Sequence, residues 1–112
     1  MESKSVVIAL AALAQESRLA VFRLLIQAGP EGFSAGRIAE ALGIAPSSLS
    51  FHLKELVHAG LVRSRQESRY VIYSANFEVM NELIGFLTDN CCRGAPCTTS
   101  PPDSMRYRSG DS

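Results

Sequence analysis

The chain has no tryptophan, only two histidines and three cysteines, and, with 11 basic residues against 11 acidic ones, no net charge. Each shortage excludes something. A zero balance removes the strongly basic footprint from which nucleic-acid binding is often guessed, and an acidic solvating tail with it. An odd number of cysteines does not build a disulfide framework, because one thiol is left over. No apolar run reaches the ~18 residues of a membrane-spanning helix, so no membrane partner is expected. The run Val6–Ala14 ends in Ala12-Leu13-Ala14, which resembles a signal-peptide cleavage region. Its flank, however, offsets Glu2 with Lys4, and another apolar-periodic segment follows at once. The run reads instead as a buried helix at a subunit contact, in a protein of the reducing cytoplasm. A length of 112 residues bounds the chain to one modest domain, or one domain plus a tail. Its core is small enough that oligomerisation helps.

Helical periodicity dominates the first half. Leu10, Leu13 and Ala14 lead into Ser17–Leu25, where Leu19, Phe22, Leu24, Leu25 and Ile26 stand mostly one turn apart, and Gly29-Pro30 stops the pattern. Ser34 is placed to cap a short helix, 35–42, with Ile38, Ala39 and Leu42 inward and Gly43 at its end. After Ile44-Ala45-Pro46, a third helix is expected over 47–58, with Leu49, Leu53, Leu56 and Val57 on its buried face and Gly60 closing it. The period then changes. Residues 61–64 and 69–74 are short and β-prone around the polar Gln66-Glu67-Ser68, which reads as a hairpin. Helical spacing returns from Asn76 through Phe77, Met80, Leu83, Ile84 and Leu87 to about Asn90. Beyond Cys97 the chain is polar and rich in Pro and Ser, a tail expected to be disordered. The expected division is therefore a domain over 1–92 and a cysteine-containing segment with its tail over 93–112.

Helix, short glycine-containing turn, helix and hairpin is the order of a winged helix-turn-helix, mainly α with one β-hairpin. The second helix would present Ser47, Ser48, Ser50, His52 and Lys54 opposite its leucines. Small hydroxyl side chains near a helix start reach base edges, and the amides there attract phosphate. Arg37, Arg63, Arg65 and Arg69 add backbone or minor-groove contacts. The same order also occurs in helix bundles, where serines at a helix start are ordinary caps. The neutral total hides an uneven distribution. Arg37, Lys54, Arg63, Arg65 and Arg69 face only Glu40, Glu55 and Glu67 in that region, while 76–90 holds only Glu78, Glu82 and Asp89. Non-specific DNA affinity and its salt slope should therefore be modest, and dimer symmetry should matter.

The segment Ser-Ser-Leu-Ser-Phe-His-Leu-Lys-Glu-Leu-Val-His-Ala-Gly-Leu-Val, 47–62, strongly resembles the recognition-helix signature of the ArsR/SmtB family of metal-sensing repressors. Leu13-Ala14-Gln15-Glu16-Ser17-Arg18-Leu19 is similar to that family's lead into its second helix, and the likeness spans about residues 6–92. It implies a homodimer held by the first and last helices that leaves double-stranded operator DNA on binding an inducer. It carries the recognition contacts onto Ser47, Ser48, Ser50 and His52. Gln66-Glu67-Ser68 lacks the glycine usual at that family's wing tip.

All three thiols fall within Cys91-Cys92-Arg93-Gly94-Ala95-Pro96-Cys97. Neighbouring side chains on an intact helix diverge by about 100°, so Cys91 and Cys92 converge only if the last turn opens. Gly94 and Pro96 ease that departure and let Cys97 fold back. Structural zinc normally takes four ligands, and neither histidine is near, whereas thiophilic ions suit sulfur-only sites. Three sulfurs complete the trigonal pyramid of As(III) or Sb(III), the expected inducers, and no organic cofactor is implied. The resemblance points the same way, since some family members hold As(III) after the last helix. Other sensor sites of that family lack their ligands here: 35–42 has no cysteine and 76–90 no histidine. A helix C-terminus disfavours negative charge, which Arg93 partly offsets. Binding also displaces thiol protons, so affinity should rise with pH.

A thiol/disulfide switch on the same fold is the alternative, with a non-DNA-binding arsenic carrier behind it. An enzyme is not expected. No cysteine is followed six positions later by the arginine of a phosphatase-like reductase loop, and there is no Cys-x-x-Cys pair.

Overall fold

The computed structural model describes residues 1–94. The two apolar-periodic segments at the start are two helices, α1 (Ser3–Leu13) and α2 (Glu16–Ala28). They break at Gln15, whose backbone is extended and whose side-chain oxygen accepts the Arg18 amide at 2.9 Å. Arg18 returns its Nε to the Ala12 carbonyl at 2.7 Å and braces the corner. Gly29 ends α2 with φ 78°, and Pro30 follows in a short turn over Gly29–Glu31.

Phe33–Ser34 form a strand, β1, that the periodicity does not show. Two residues are too few for alternation to register, and Ser34 doubles as the cap of α3 (Ala35–Leu42), accepting from the Arg37 amide. Gly43, left-handed at φ 65°, closes α3 by donating its N–H to the Ala39 carbonyl. Helix α4 runs Pro46–His58, with proline in its first turn.

The hairpin is longer than its β-prone residues suggest. Strand β2 covers Val62–Glu67 and β3 covers Tyr70–Ala75, leaving Ser68 and Arg69 as a two-residue turn. Gln66 and Glu67, expected in the turn, pair with Val71 and Tyr70 instead. Ser68 takes φ 57°, the left-handed conformation that a glycine would adopt at less cost. The sheet order is β1-β3-β2, all antiparallel, with Phe33 opposite Tyr73. Helix α5 (Phe77–Leu87) ends earlier than Asn90, with Thr88 Oγ1 donating to the Ile84 carbonyl at 2.8 Å.

The core gathers Val21 and Leu25 of α2, Ile38 of α3, Leu49, Leu53 and Leu56 of α4, and Leu61. Val57, expected on the inner face of α4, is 38% exposed: it lies about 80° from Leu49 and about 100° from Leu56 around the helix, toward the open side. Leu10 and Leu19 are likewise exposed, although Val6 and Ala9 on α1 are buried. Among the described residues no single helix is long and apolar enough to cross a membrane.

Candidate nucleic-acid interface and cysteine segment

Three buried leucines orient α4, and that orientation decides what its other side offers. Ser47, Ser48, Ser50 and Lys54 are exposed, as expected. No side chain caps the start of the helix, so its first-turn amides are not taken up by an N-cap residue. His52 differs from the expectation. It is only half-exposed, its Nδ1 is buried without a hydrogen-bond partner, and its ring stands edge-on to Phe51 at 5.8 Å between centroids.

The arginines separate into distinct tasks. Arg63 pairs with Glu78 of α5 at 2.8 Å, both side chains largely in solvent. Arg65 donates to Glu67 at 3.1 Å and to the carbonyls of Pro30 and Glu31 at 3.3 and 2.9 Å, strapping the wing to the turn after α2. Arg37 lies over the Phe33 ring at 4.7 Å. Arg69 stands exposed in the turn of the wing. Lys54 and Arg69 form no salt bridge among the described residues.

Between α4 and the wing lies a cleft of about 370 Å³ bordered by Ser50, Lys54, His58, Ser64 and Tyr73. Ser64 and Tyr73 are missed by sequence reasoning. They face each other across β2 and β3, and only that register brings them beside Lys54.

The cysteine segment follows α5 through Thr88, Asp89 and Asn90. Its backbone turns left-handed at Asn90, Cys92 and Arg93, with φ of 57°, 57° and 60°. The helix has indeed opened, and the sulfurs of Cys91 and Cys92 stand 3.5 Å apart, both residues exposed. Cys97 lies outside the described residues. Among those described, no group of three His, Cys, Asp or Glu side chains is assembled to hold a metal ion.

A helix that packs leucines inward and turns serines and a lysine outward, beside an antiparallel hairpin, defines the winged helix-turn-helix class of DNA-binding domain. The comparisons agree. The helix-turn-helix domain family matches residues 13–65. The HTH-type transcriptional regulator YceK of Bacillus subtilis is 43% identical over 77 residues, or 68% of this chain and 76% of that one. The ArsR-like transcriptional regulator from Rhodococcus sp. RHA1 superposes with a TM-score of 0.68 at 27% identity, covering 75% of this chain and 76% of that one. Reduced HlyU from Vibrio cholerae N16961 does so at 0.62 and 32%, covering 80% and 92%. The chain belongs to the ArsR family of winged helix-turn-helix transcriptional regulators.

Proposed function

We propose that the protein is a homodimeric repressor that leaves its operator when As(III) or Sb(III) binds Cys91, Cys92 and Cys97. The observation that carries this is the pair of exposed sulfurs 3.5 Å apart at the end of α5. With the disulfide of Cys92 reduced, Cys91 and Cys92 would hold such an ion as thiolates. A soft donor set suits a thiophilic ion, with Cys97 as the third ligand. Bound there, the ion supplies a cross-link between thiolates and nothing more.

The chain's own residues do the rest. The left-handed backbone at Asn90, Cys92 and Arg93 already brings two sulfurs together, so recruiting the third thiolate is the rearrangement that binding adds. The rearrangement acts on α5, whose Ile84, Phe86 and Leu87 are 52%, 39% and 59% exposed. With the exposed Val7, Ile8 and Leu10 of α1, they are the apolar side chains that a second copy would cover. Repacking that contact alters the spacing of the two α4 helices. Coupling of about 1–3 kcal/mol weakens operator affinity roughly 5–150-fold.

A second reading has its own observation. Cys92 is disulfide-bonded in this structure, which favours a thiol/disulfide switch on the same fold. Gel retardation of an upstream promoter fragment, with the reduced protein and added arsenite, tests the main reading. Release should need all three cysteines, whereas an oxidative switch needs two. No retardation at low salt overturns both.

A further inference from the structure

We propose that Phe51 reads the C5-methyl group of a thymine in the major groove, making it a specificity-determining residue of this regulator. The inference rests on the DNA-binding reading above and adds one base to it. Phe51 is 56% exposed, although Leu49, Leu53 and Leu56 on the same helix are at most 2% exposed. At about 100° per residue Phe51 stands some 200° from Leu49, opposite the buried face, with Ser47, Lys54 and His58 within about 60° of it. Its ring is therefore at the centre of the outward side of α4. The His52 ring holds it from one edge, 64° to its plane.

An aromatic ring exposed to water gains by burial against an apolar partner. A second copy of the chain is a poor match. The apolar surfaces suited to that task are on α1 and α5, whereas Phe51 is surrounded by Ser47, Ser50 and Lys54, and the cores of protein interfaces are depleted of charge. In the major groove, serines and lysine meet base edges and phosphates. Only thymine offers an apolar group there, and phenylalanine is one of the side chains that contacts it. Nothing about the fold requires a large ring at this position.

Duplexes enriched from a random library by the full-length reduced protein provide the probe. Each thymine is replaced singly by deoxyuracil, which keeps its pairing and loses only the methyl. For the wild type, one such change per half-site should weaken binding roughly fourfold, the equivalent of one buried methyl-sized group. Phe51→Ala should bind the parent duplex correspondingly weakly and show no response to that uracil. Phe51→Leu should keep part of the response. Retardation of unrelated DNA should be equal for all three, because phosphate contacts are untouched. Sequence-selective binding with the same uracil profile in wild type and Phe51→Ala overturns this assignment alone. Failure of the wild type to enrich any duplex overturns it together with the DNA-binding reading. A change in oligomeric state of Phe51→Ala, with the uracil response intact, assigns the ring to a protein contact and also overturns it.

Discussion

The side-chain amide of Asn76 donates to the carbonyl of Gly60 at 3.1 Å, joining the start of α5 to the end of the DNA-facing helix. Its own N–H donates to Leu61 at 2.8 Å, and its side-chain oxygen caps Val79 at 3.3 Å. One residue thus ties the helix that leads to the cysteines to the helix that meets DNA. Asn76→Ala should lower unfolding free energy by about 1–2 kcal/mol in urea, with the m-value unchanged. Asn76→Asp keeps the cap and loses the donor to Gly60. It should retain most of the stability while reducing the arsenite-induced change in operator affinity, read by fluorescence anisotropy.

Arg63 and Glu78 form a second link between wing and α5, but a solvated one. An exposed pair contributes little, so Glu78→Gln should shift unfolding by less than about 0.5 kcal/mol. Releasing Arg63 from its acidic partner should instead strengthen DNA binding at low salt, an advantage that disappears as salt rises. Arg63→Ala should reduce the slope of log affinity against log salt by about 1 per subunit. An unchanged slope removes Arg63 from the phosphate contacts.

Gly32 sits between the turn after α2 and strand β1 with φ 65°, and a Cβ there would overlap the Tyr73 carbonyl. Both the conformation and the space are denied to alanine. Gly32→Ala should therefore cost about 2 kcal/mol or more, whereas Gly36→Ala, with open space around it, should be neutral or mildly stabilising. Thermal melts of the two variants give the comparison.

Leu87→Asp tests the proposed contact between copies. Leu87 is 59% exposed in the single chain, so a charge there leaves the monomer's core alone. Burial of such a side chain is worth about 1.5–3 kcal/mol, and two copies change at once. Dimer dissociation should rise by at least about 100-fold in sedimentation equilibrium, with operator affinity falling alongside it. A dimer unaffected by this change, and by Val7→Asp, places the interface elsewhere.

Cys91→Ser, Cys92→Ser and Cys97→Ser should each abolish arsenite-driven release while leaving operator affinity within about twofold of wild type. Release in the wild type should require a reductant, because Cys92 is disulfide-bonded here, and should strengthen as pH rises toward the thiol range. Arsenic K-edge absorption should count three sulfurs. Two would assign the third thiol no role.

Much of this architecture is legible in the order of residues. Leu49, Leu53 and Leu56 mark one face of α4 by spacing alone, and Gly43 and Pro46 mark the turn before it. The wing is less legible. Gln66 and Glu67 are polar enough to resemble a turn, yet they pair in β2 and β3 because both faces of the hairpin tip are open to solvent. β1 is invisible to periodicity, and its existence depends on Tyr73 and Ile72 arriving opposite Phe33 and Ser34. By spacing His52 is one more outward side chain, and its half-burial follows from its place at the margin of the leucine face.

The absences that bound this chain still hold, but they count differently in three dimensions. A zero net charge and three cysteines are properties of composition, and they exclude a general polycation and a disulfide scaffold whatever the fold. Helix identity, the glycine stops and the clustering of thiols are likewise local, because spacing and backbone preference act over a few residues. Which arginine is engaged by Glu78, which is bound to the carbonyls of Pro30 and Glu31, and which stands at the wing tip is decided only when distant strands and turns meet. The closeness of the two sulfurs is different, a local event that takes a left-handed backbone at Cys92 to bring adjacent side chains to one side. Charge and sulfur act through distance, and distance between residues far apart in the chain belongs to the tertiary fold.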